Sequence, residues 1–206
     1  MKILAFDLSS GHGSIAFRDA ASETFASGFP NDRKHSGFFF EQLQACVRKS
    51  GLPDRIAVGL GPGSYAGTRI AIAAALGLRL ANQAELIGIA SVRAIDTDAS
   101  DYVLIGDARR NSFYFARVHQ RRCVEGPLLC TKEQLRERLA ASDLPMFCTE
   151  PIDGFGPVAV AYPSASVLAQ IAATEEVSIT TAPLEPIYLR DAHITQPKAV
   201  SAARGR

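Results

Sequence analysis

Three short apolar runs open the chain, each closed by Gly, Asp or Ser: Lys2–Ser10 (KILAFDLSS), Gly13–Asp19 (GSIAFRD) and Ser22–Phe29 (SETFASGF). Runs of this length with turn residues between them predict three consecutive strands joined by tight turns. The period changes at His35–Gly51 (HSGFFFEQLQACVRKSG), where Phe39, Leu43 and Cys46 with Val47 recur at helical spacing. Ser36 is placed to cap that helix and Gly51 to end it. Arg55–Leu60 (RIAVGL) reads as a buried strand, Ser64 to Asn82 as a helix, Glu85–Ser91 as a strand and Ser91–Ala99 as a short helix.

A second series begins near Asp101. Tyr102–Arg110 (YVLIGDARR) is apolar up to Asp107, and Asn111–Gln120 (NSFYFARVHQ) alternates as a half-buried strand should. Arg122–Cys130 reads as a further strand. Thr131 with Gln134 three residues on forms a capping-box start for the next helix. Pro145–Thr149 and Pro157–Pro163 read as short strands, Ser164–Glu176 as a helix, and the proline-rich tail as irregular with loose last residues. Both series run apolar strand, Asp, polar turn, apolar strand. That echo predicts two related α/β lobes, residues 1–100 and a smaller one of 101–206.

The stretch Gly59–Ala81 (GLGPGSYAGTRIAIAAALGLRLA) admits two readings. Gly61, Gly63 and Ala66 match the G-x-G-x-x-[GA] fingerprint between strand and helix, where backbone N–H groups meet a pyrophosphate. Against this, Pro62 removes one N–H from the loop, no carboxylate ends the next strand to hold a ribose, and no Lys follows Gly67 as a Walker loop requires. In the other reading Gly61, Pro62, Gly63, Ser64, Gly67 and Arg69 set a turn and a helix start. The helix behind them is apolar nearly all round, so it is buried in its own core or against a partner. Ala73, Gly77 and Ala81 at four-residue spacing allow another backbone to approach closely, since close approach is geometry wherever it occurs.

Other candidates are sparser. Asp7 and Asp107 each end a strand, where open α/β sheets hold ligands. Asp7 with Ser9 and Ser10 could hold a hydrated Mg²⁺ beside phosphates, or Asp7 could accept hydrogen bonds from its own turn. His12 and His35 fall in no metal motif, and no Gly-x-Ser-x-Gly elbow exists. Arg109 and Arg110 beside aromatics suit an RNA or acidic-partner contact, or simply a solvated hairpin tip. The net charge of +1, from 22 basic and 21 acidic residues, argues against non-specific nucleic-acid binding through charge alone. Cys46, Cys123, Cys130 and Cys148 form no CxxC pair and fit reduced thiols. The first apolar run is too short for a signal peptide, and Ile70–Leu80 is too short to span a bilayer. These points predict a cytoplasmic protein.

Several stretches together resemble the TsaB (YeaZ) family, paralogues of the TsaD/glycoprotease-like proteins. They are ILAFDLSS, RKHSGFFFEQL, VGLGPGSYAGTRIAIAAALGLRLA, LIGIASVRAI, GDARRNSFYFA and PIYLRD, in order from Met1 to about Asp191. The resemblance implies an α/β fold of the actin/Hsp70-like (ASKHA) type, two RNase H-like lobes with mixed sheets. It implies a non-catalytic dimerisation and activating subunit of the complex that adds threonylcarbamoyl to the adenosine beside the anticodon of tRNAs reading codons that begin with A. The implied partners are a TsaD-like catalytic subunit and a TsaE-like ATPase, with a homodimer through the same helices when the chain is alone. Contact with tRNA comes only through the complex. No metal and no cofactor is implied, ATP or ADP binding only at an interface with partners. The implied interface lies on Ser36–Ser50 and Ser64–Asn82, with Phe39, Leu43, Ile70, Ala73, Ala74 and Gly77 as its residues. The loop departs from the family pattern at Ala66 and Thr68. The rival readings are an actin-like ATPase, which would bind ATP without partners, and a glycoprotease-like peptidase, for which the sequence holds no nucleophile–base pair.

Overall fold

The computed structural model describes residues 1–20, 22–32, 37–174 and 184–190. Strands β1 (Ile3–Asp7), β2 (His12–Arg18) and β3 (Glu23–Pro30) form an antiparallel meander. Helix α1 (Phe38–Ser50) leads to β4 (Arg55–Gly59), which pairs parallel with β1; α2 (Tyr65–Asn82) leads to β5 (Glu85–Ile89), parallel to β4. A 3-10 turn, Ser91–Ala94, follows. The second sheet begins with the meander β6 (Asp101–Asp107), β7 (Phe113–His119) and β8 (Arg122–Cys130). Helix α3 (Lys132–Ala140) and the short strands β9 (Met146–Cys148) and β10 (Ala159–Val160) complete it, and α4 (Ala165–Thr174) closes the helical set.

The strand orders are β3-β2-β1-β4-β5 and β10-β9-β6-β7-β8. Read from their outer meander strands, the two sheets share one topology, with Asp7 and Asp107 at matching ends of β1 and β6. Where α2 connects β4 to β5, only a loop connects β9 to β10, which leaves the second sheet with the shorter edge.

Strand β1 is buried along its whole length because both of its faces are covered. Leu4 and Phe6 point to α1 and α2, together with Ile56 and Val58 of β4. Ile3 and Ala5 point the other way, to Val167, Leu168 and Ile171 of α4. Small residues on that side, Ala5, Ala16 and Ala57, let α4 lie close to the strands. A helix from the second half of the sequence therefore packs on the first sheet.

Local signals hold well at helix ends. Ser64 caps α2 by accepting from the Gly67 N–H at 3.1 Å. Thr131 and Gln134 form the reciprocal capping box of α3. Gly51 ends α1 at φ 81, donating its N–H to the Val47 carbonyl. The cap expected at Ser36 lies outside the described residues; α1 begins at Phe38 with Gly37 as N-cap. Ser91–Ala99 yields only one 3-10 turn. The four cysteines are unpaired thiols.

Candidate functional site

Three features meet around the glycine loop: a saturated aspartate beneath it, a cleft in front of it and an apolar helix face behind it.

Asp7 is fully buried. Its Oδ1 accepts from the Ser9 N–H at 2.7 Å and the Ser9 hydroxyl at 2.6 Å, and its Oδ2 accepts from the Ser91 hydroxyl at 2.5 Å. The Ser91 oxygen in turn accepts from the Gly61 N–H at 2.9 Å. Asp7 thus ties the end of β1 to the glycine loop through one intervening serine. Burial pushes its pKa above the usual carboxylate value, against the opposing pull of Ser9 and Ser91. With three donors on it, Asp7 serves its own turn and the glycine loop, the second of the two roles the sequence leaves open for it. Ser10 is engaged as well, donating to the His12 carbonyl at 2.8 Å. Among the described residues no cluster of three or more His, Cys, Asp or Glu could hold a metal.

The raised pKa carries a prediction. The folded state holds the Asp7 proton more tightly than the unfolded chain, so this group's contribution is fully present below the ordinary value of 3.8 and is lost as pH rises through the folded value. In Asp7→Asn that dependence disappears. Urea titrations at about pH 4.5 and pH 7 should show the parent losing stability relative to the variant as pH rises. A difference that is flat, or of opposite sign, would show that the hydrogen bonds outweigh desolvation.

The glycines serve close packing. A Cβ at Gly67 would lie 2.0 Å from the Leu8 carbonyl oxygen, and one at Gly63 would lie 2.0 Å from the Ser9 carbonyl oxygen. Ser64 donates its N–H to that same Ser9 oxygen at 2.6 Å. The loop therefore lies directly on the β1–β2 turn, backbone on backbone. Its space is taken by protein where a pyrophosphate would need it.

In front of the loop a cleft of about 590 Å³ separates the two sheets. Its first-sheet wall includes Ser9, Ser10 and Asn31, and its second-sheet wall Asp107, Tyr114 and Glu150. Asp107 accepts from the Arg109 backbone N–H at 2.6 Å and its guanidinium at 3.0 Å, so it serves its own turn. Arg109 also reaches Glu150 at 3.4 Å. Arg109, Arg110 and Asn111 all have positive φ at this exposed hairpin tip. His12 stacks on Tyr162, with centroids 5.0 Å apart.

Leu184–Arg190 runs across the cleft as a strap. Leu184 packs on the first core, Ile187 donates its N–H to the Leu60 carbonyl at 2.8 Å, and Leu189 packs on the second sheet. Tyr188 accepts from Arg69 Nε at 2.8 Å, and the Arg69 guanidinium lies 3.6 Å from the centre of the Tyr65 ring. Sequence reasoning missed this cluster, whose strap and helix members lie 119 positions apart.

Helices α1 and α2 lie on the same face of the first sheet, α1 over β2 and β3, α2 over β4 and β5. Ala71, Ile72 and Ala75 are the core side of α2. Ile70, Ala73, Leu76, Gly77 and Leu80 are exposed, Leu80 by 89%. Among the described residues nothing lies within 4 Å of a Cβ built at Gly77. Ala74 is partly buried against the core. On α1, Phe39 and Leu43 are core residues, 2% and 9% exposed, so the expectation that they present a partner surface is corrected. Phe39 sits edge-on to Phe6 with centroids 5.3 Å apart. The large apolar residues that α1 exposes are their neighbours Phe38 and Phe40.

Comparison with known proteins follows the same lines. The family model described as tRNA N6-adenosine threonylcarbamoyltransferase, TsaD, matches residues 31–129. The tRNA threonylcarbamoyladenosine biosynthesis protein TsaB of Haemophilus influenzae is 25% identical, the match covering 93% of this chain and 94% of the relative. A solved structure described as similar to peptidase YeaZ from Pseudomonas aeruginosa superposes with a TM-score of 0.73 at 23% identity, over 92% of this chain and 99% of the other. YeaZ from Pseudomonas aeruginosa gives 0.67 at 22% identity, over 84% and 90%. In sequence the chain is similar to TsaB of Haemophilus influenzae, and in its two-sheet fold it is similar to YeaZ of Pseudomonas aeruginosa.

Proposed function

We propose that the chain is a non-catalytic dimerisation and activating subunit in the biosynthesis of threonylcarbamoyladenosine in tRNA. It acts in the cytoplasm beside a TsaD-like catalytic subunit and a TsaE-like ATPase. The observation that carries this reading is the exposed apolar face of α2, Ile70–Leu80, with Phe38 and Phe40 of α1 on the same side of the sheet. Contiguous apolar surface of this kind marks a protein interface. Gly77 lowers helix stability by about 1 kcal/mol relative to alanine, yet among the described residues no neighbour needs its small size. A partner helix passing over Ala73 and Gly77 would need it.

The region a nucleotide-hydrolysing relative would use supports the same reading. Asp7 and the hydroxyls of Ser9 and Ser10 are turned inward to hold the turn and the glycine loop. Among the described residues no helix is long and apolar enough to cross a membrane.

The test is reconstitution. The purified chain alone is expected neither to hydrolyse ATP nor to modify tRNA. A TsaD-like protein should co-purify with it, and threonylcarbamoyladenosine should form only when the TsaD-like and TsaE-like proteins are supplied together with it. Robust ATP turnover by the chain alone, abolished in Asp7→Ala, would favour the ATPase reading.

A further inference from the structure

We infer that Arg69, held between Tyr65 and Tyr188, is the charged anchor of the α2 surface and takes a carboxylate of the TsaD-like partner. The inference rests on the partner reading proposed above and adds to it a residue, a charge and a partner chemistry. Along α2 the exposed residues Tyr65, Arg69, Ala73, Gly77 and Ala81 form one row at four-residue spacing, the row that packs into the groove of a facing helix. Arg69 stands one turn before Ala73, so a helix lying over Ala73 and Gly77 comes within reach of it.

The guanidinium is exposed but fixed. Its Cζ lies 3.6 Å from the centre of the Tyr65 ring and 5.4 Å from that of Tyr188, and its Nε donates to the Tyr188 hydroxyl at 2.8 Å. The two rings are 5.6 Å apart, inclined at 38°, and are themselves 53% and 46% exposed. An arginine fixed in this way has already lost the rotamer freedom that binding would otherwise cost. Its planar fork matches the two oxygens of a carboxylate. Exposed tyrosine and arginine side by side are also the residue types that dominate interface energies.

Charge sets the sign of the group it meets. Among the described residues no carboxylate pairs with Arg69. Helix α2 contains no acidic residue, and Arg69 lies in its first turn, where a cation opposes the helix dipole. Helix α1 beside it adds Glu41 against Arg48 and Lys49. The surface is basic and complementary to an acidic partner. A second copy of the chain would bring the same basic surface to it, which favours the TsaD-like protein over a homodimer as the occupant.

The affinity of the full chain for a purified TsaD-like protein, measured by calorimetry at about 0.1 M and about 1 M salt, tests the assignment. Arg69→Gln and Arg69→Glu remove the same stacked guanidinium and differ in charge. Arg69→Gln should weaken binding about tenfold, and Arg69→Glu about tenfold again or more, because it sets two carboxylates together. The gap between the two variants should narrow at the higher salt, where the screening length falls from about 10 Å to about 3 Å. Arg69→Lys, which keeps the charge and loses the fork, should bind between the parent and Arg69→Gln. None of the three should melt early, since the position is exposed and an acid in the first turn suits the dipole. If Arg69 serves only to pin the strap through Tyr188, the Gln and Glu variants lose affinity equally at both salt concentrations, and the assignment falls. Should Arg69→Glu fail to fold, equal affinity of Arg69→Lys and Arg69→Gln overturns it. It falls too if all Arg69 variants bind as the parent does while Ala73→Glu does not, an outcome that leaves the partner reading standing. A parent chain that binds no TsaD-like protein overturns that reading and the inference with it. Self-association of the chain that Arg69→Glu abolishes would assign the surface to a second copy instead.

Discussion

Glutamate at Ala73 is expected to weaken association with a TsaD-like partner by about a hundredfold or more, and leucine at Gly77 by about tenfold or more, with both variants folded. Burying an unpaired carboxylate in a helix contact costs several kcal/mol, and each ~1.4 kcal/mol is a factor of ten in affinity. Leucine at Gly77 acts by volume, forcing apart backbones that a glycine lets approach, at about 1–3 kcal/mol. In the isolated chain Gly77 has empty space where its side chain would grow, and leucine is the better helix former by up to about 1 kcal/mol. Gly77→Leu should therefore raise the melting temperature of the dilute chain while lowering partner affinity. A role for Gly77 in the chain's own core would reverse the first sign. Unchanged affinity in both variants would remove α2 from the interface.

Ala74 shows why these two positions are the informative ones. From the sequence, Ile70, Ala73, Ala74 and Gly77 share one side of α2 on an equal footing. In the folded chain the boundary of the core runs between them, with Ala74 packed against the first cluster and the other three exposed. A helix apolar nearly all round carries no polar stripe to mark its outer face. Only the fold assigns Ala71, Ile72 and Ala75 to the sheet.

Where patterns were local they could be read directly. The two meanders, the Ser64 cap, the Thr131–Gln134 box and the end of α1 at Gly51 follow from turn residues and short-range hydrogen bonds. The half of the Asp7 arrangement made by Ser9, two positions on, belongs to that class. The half made by Ser91 is 84 positions away and needs the parallel pairing of β1, β4 and β5 to exist. The strap escaped for the same reason: a proline-rich stretch with no period says nothing about Leu60, Arg69 or Arg109, the three partners that hold it.

At Phe38, Phe39 and Phe40 the periodicity is right about the helix, while the interface implied by the resemblance falls on its buried side. Helical spacing groups Phe39 with Leu43 and Cys46, and those three are the buried side of α1. The most regular apolar stripe of an amphipathic helix faces its own core by default, so the partner surface proposed above would come from what remains apolar outside it. Phe40 meets that condition, being 53% exposed. The pair can be separated by experiment. Phe39→Ala removes a ring packed against Phe6 and Phe29, with centroids 5.3 and 6.4 Å away. A cavity of that origin costs about 3–5 kcal/mol, and at about 2–4 °C per kcal/mol for a chain of this size the melting temperature should fall by roughly 6–20 °C. Phe40→Ala should shift it by no more than a few degrees, because the ring is half in solvent, with its neighbour Phe39 beside it at 5.1 Å between centroids. Partner binding should respond the other way round: at a temperature where both variants are folded, Phe40→Ala should weaken it by tenfold or more, as exposed aromatic anchors do, and Phe39→Ala only slightly. If Phe39→Ala instead melts normally and abolishes partner binding, the ring belongs to the interface after all and the core packing of α1 is wrong.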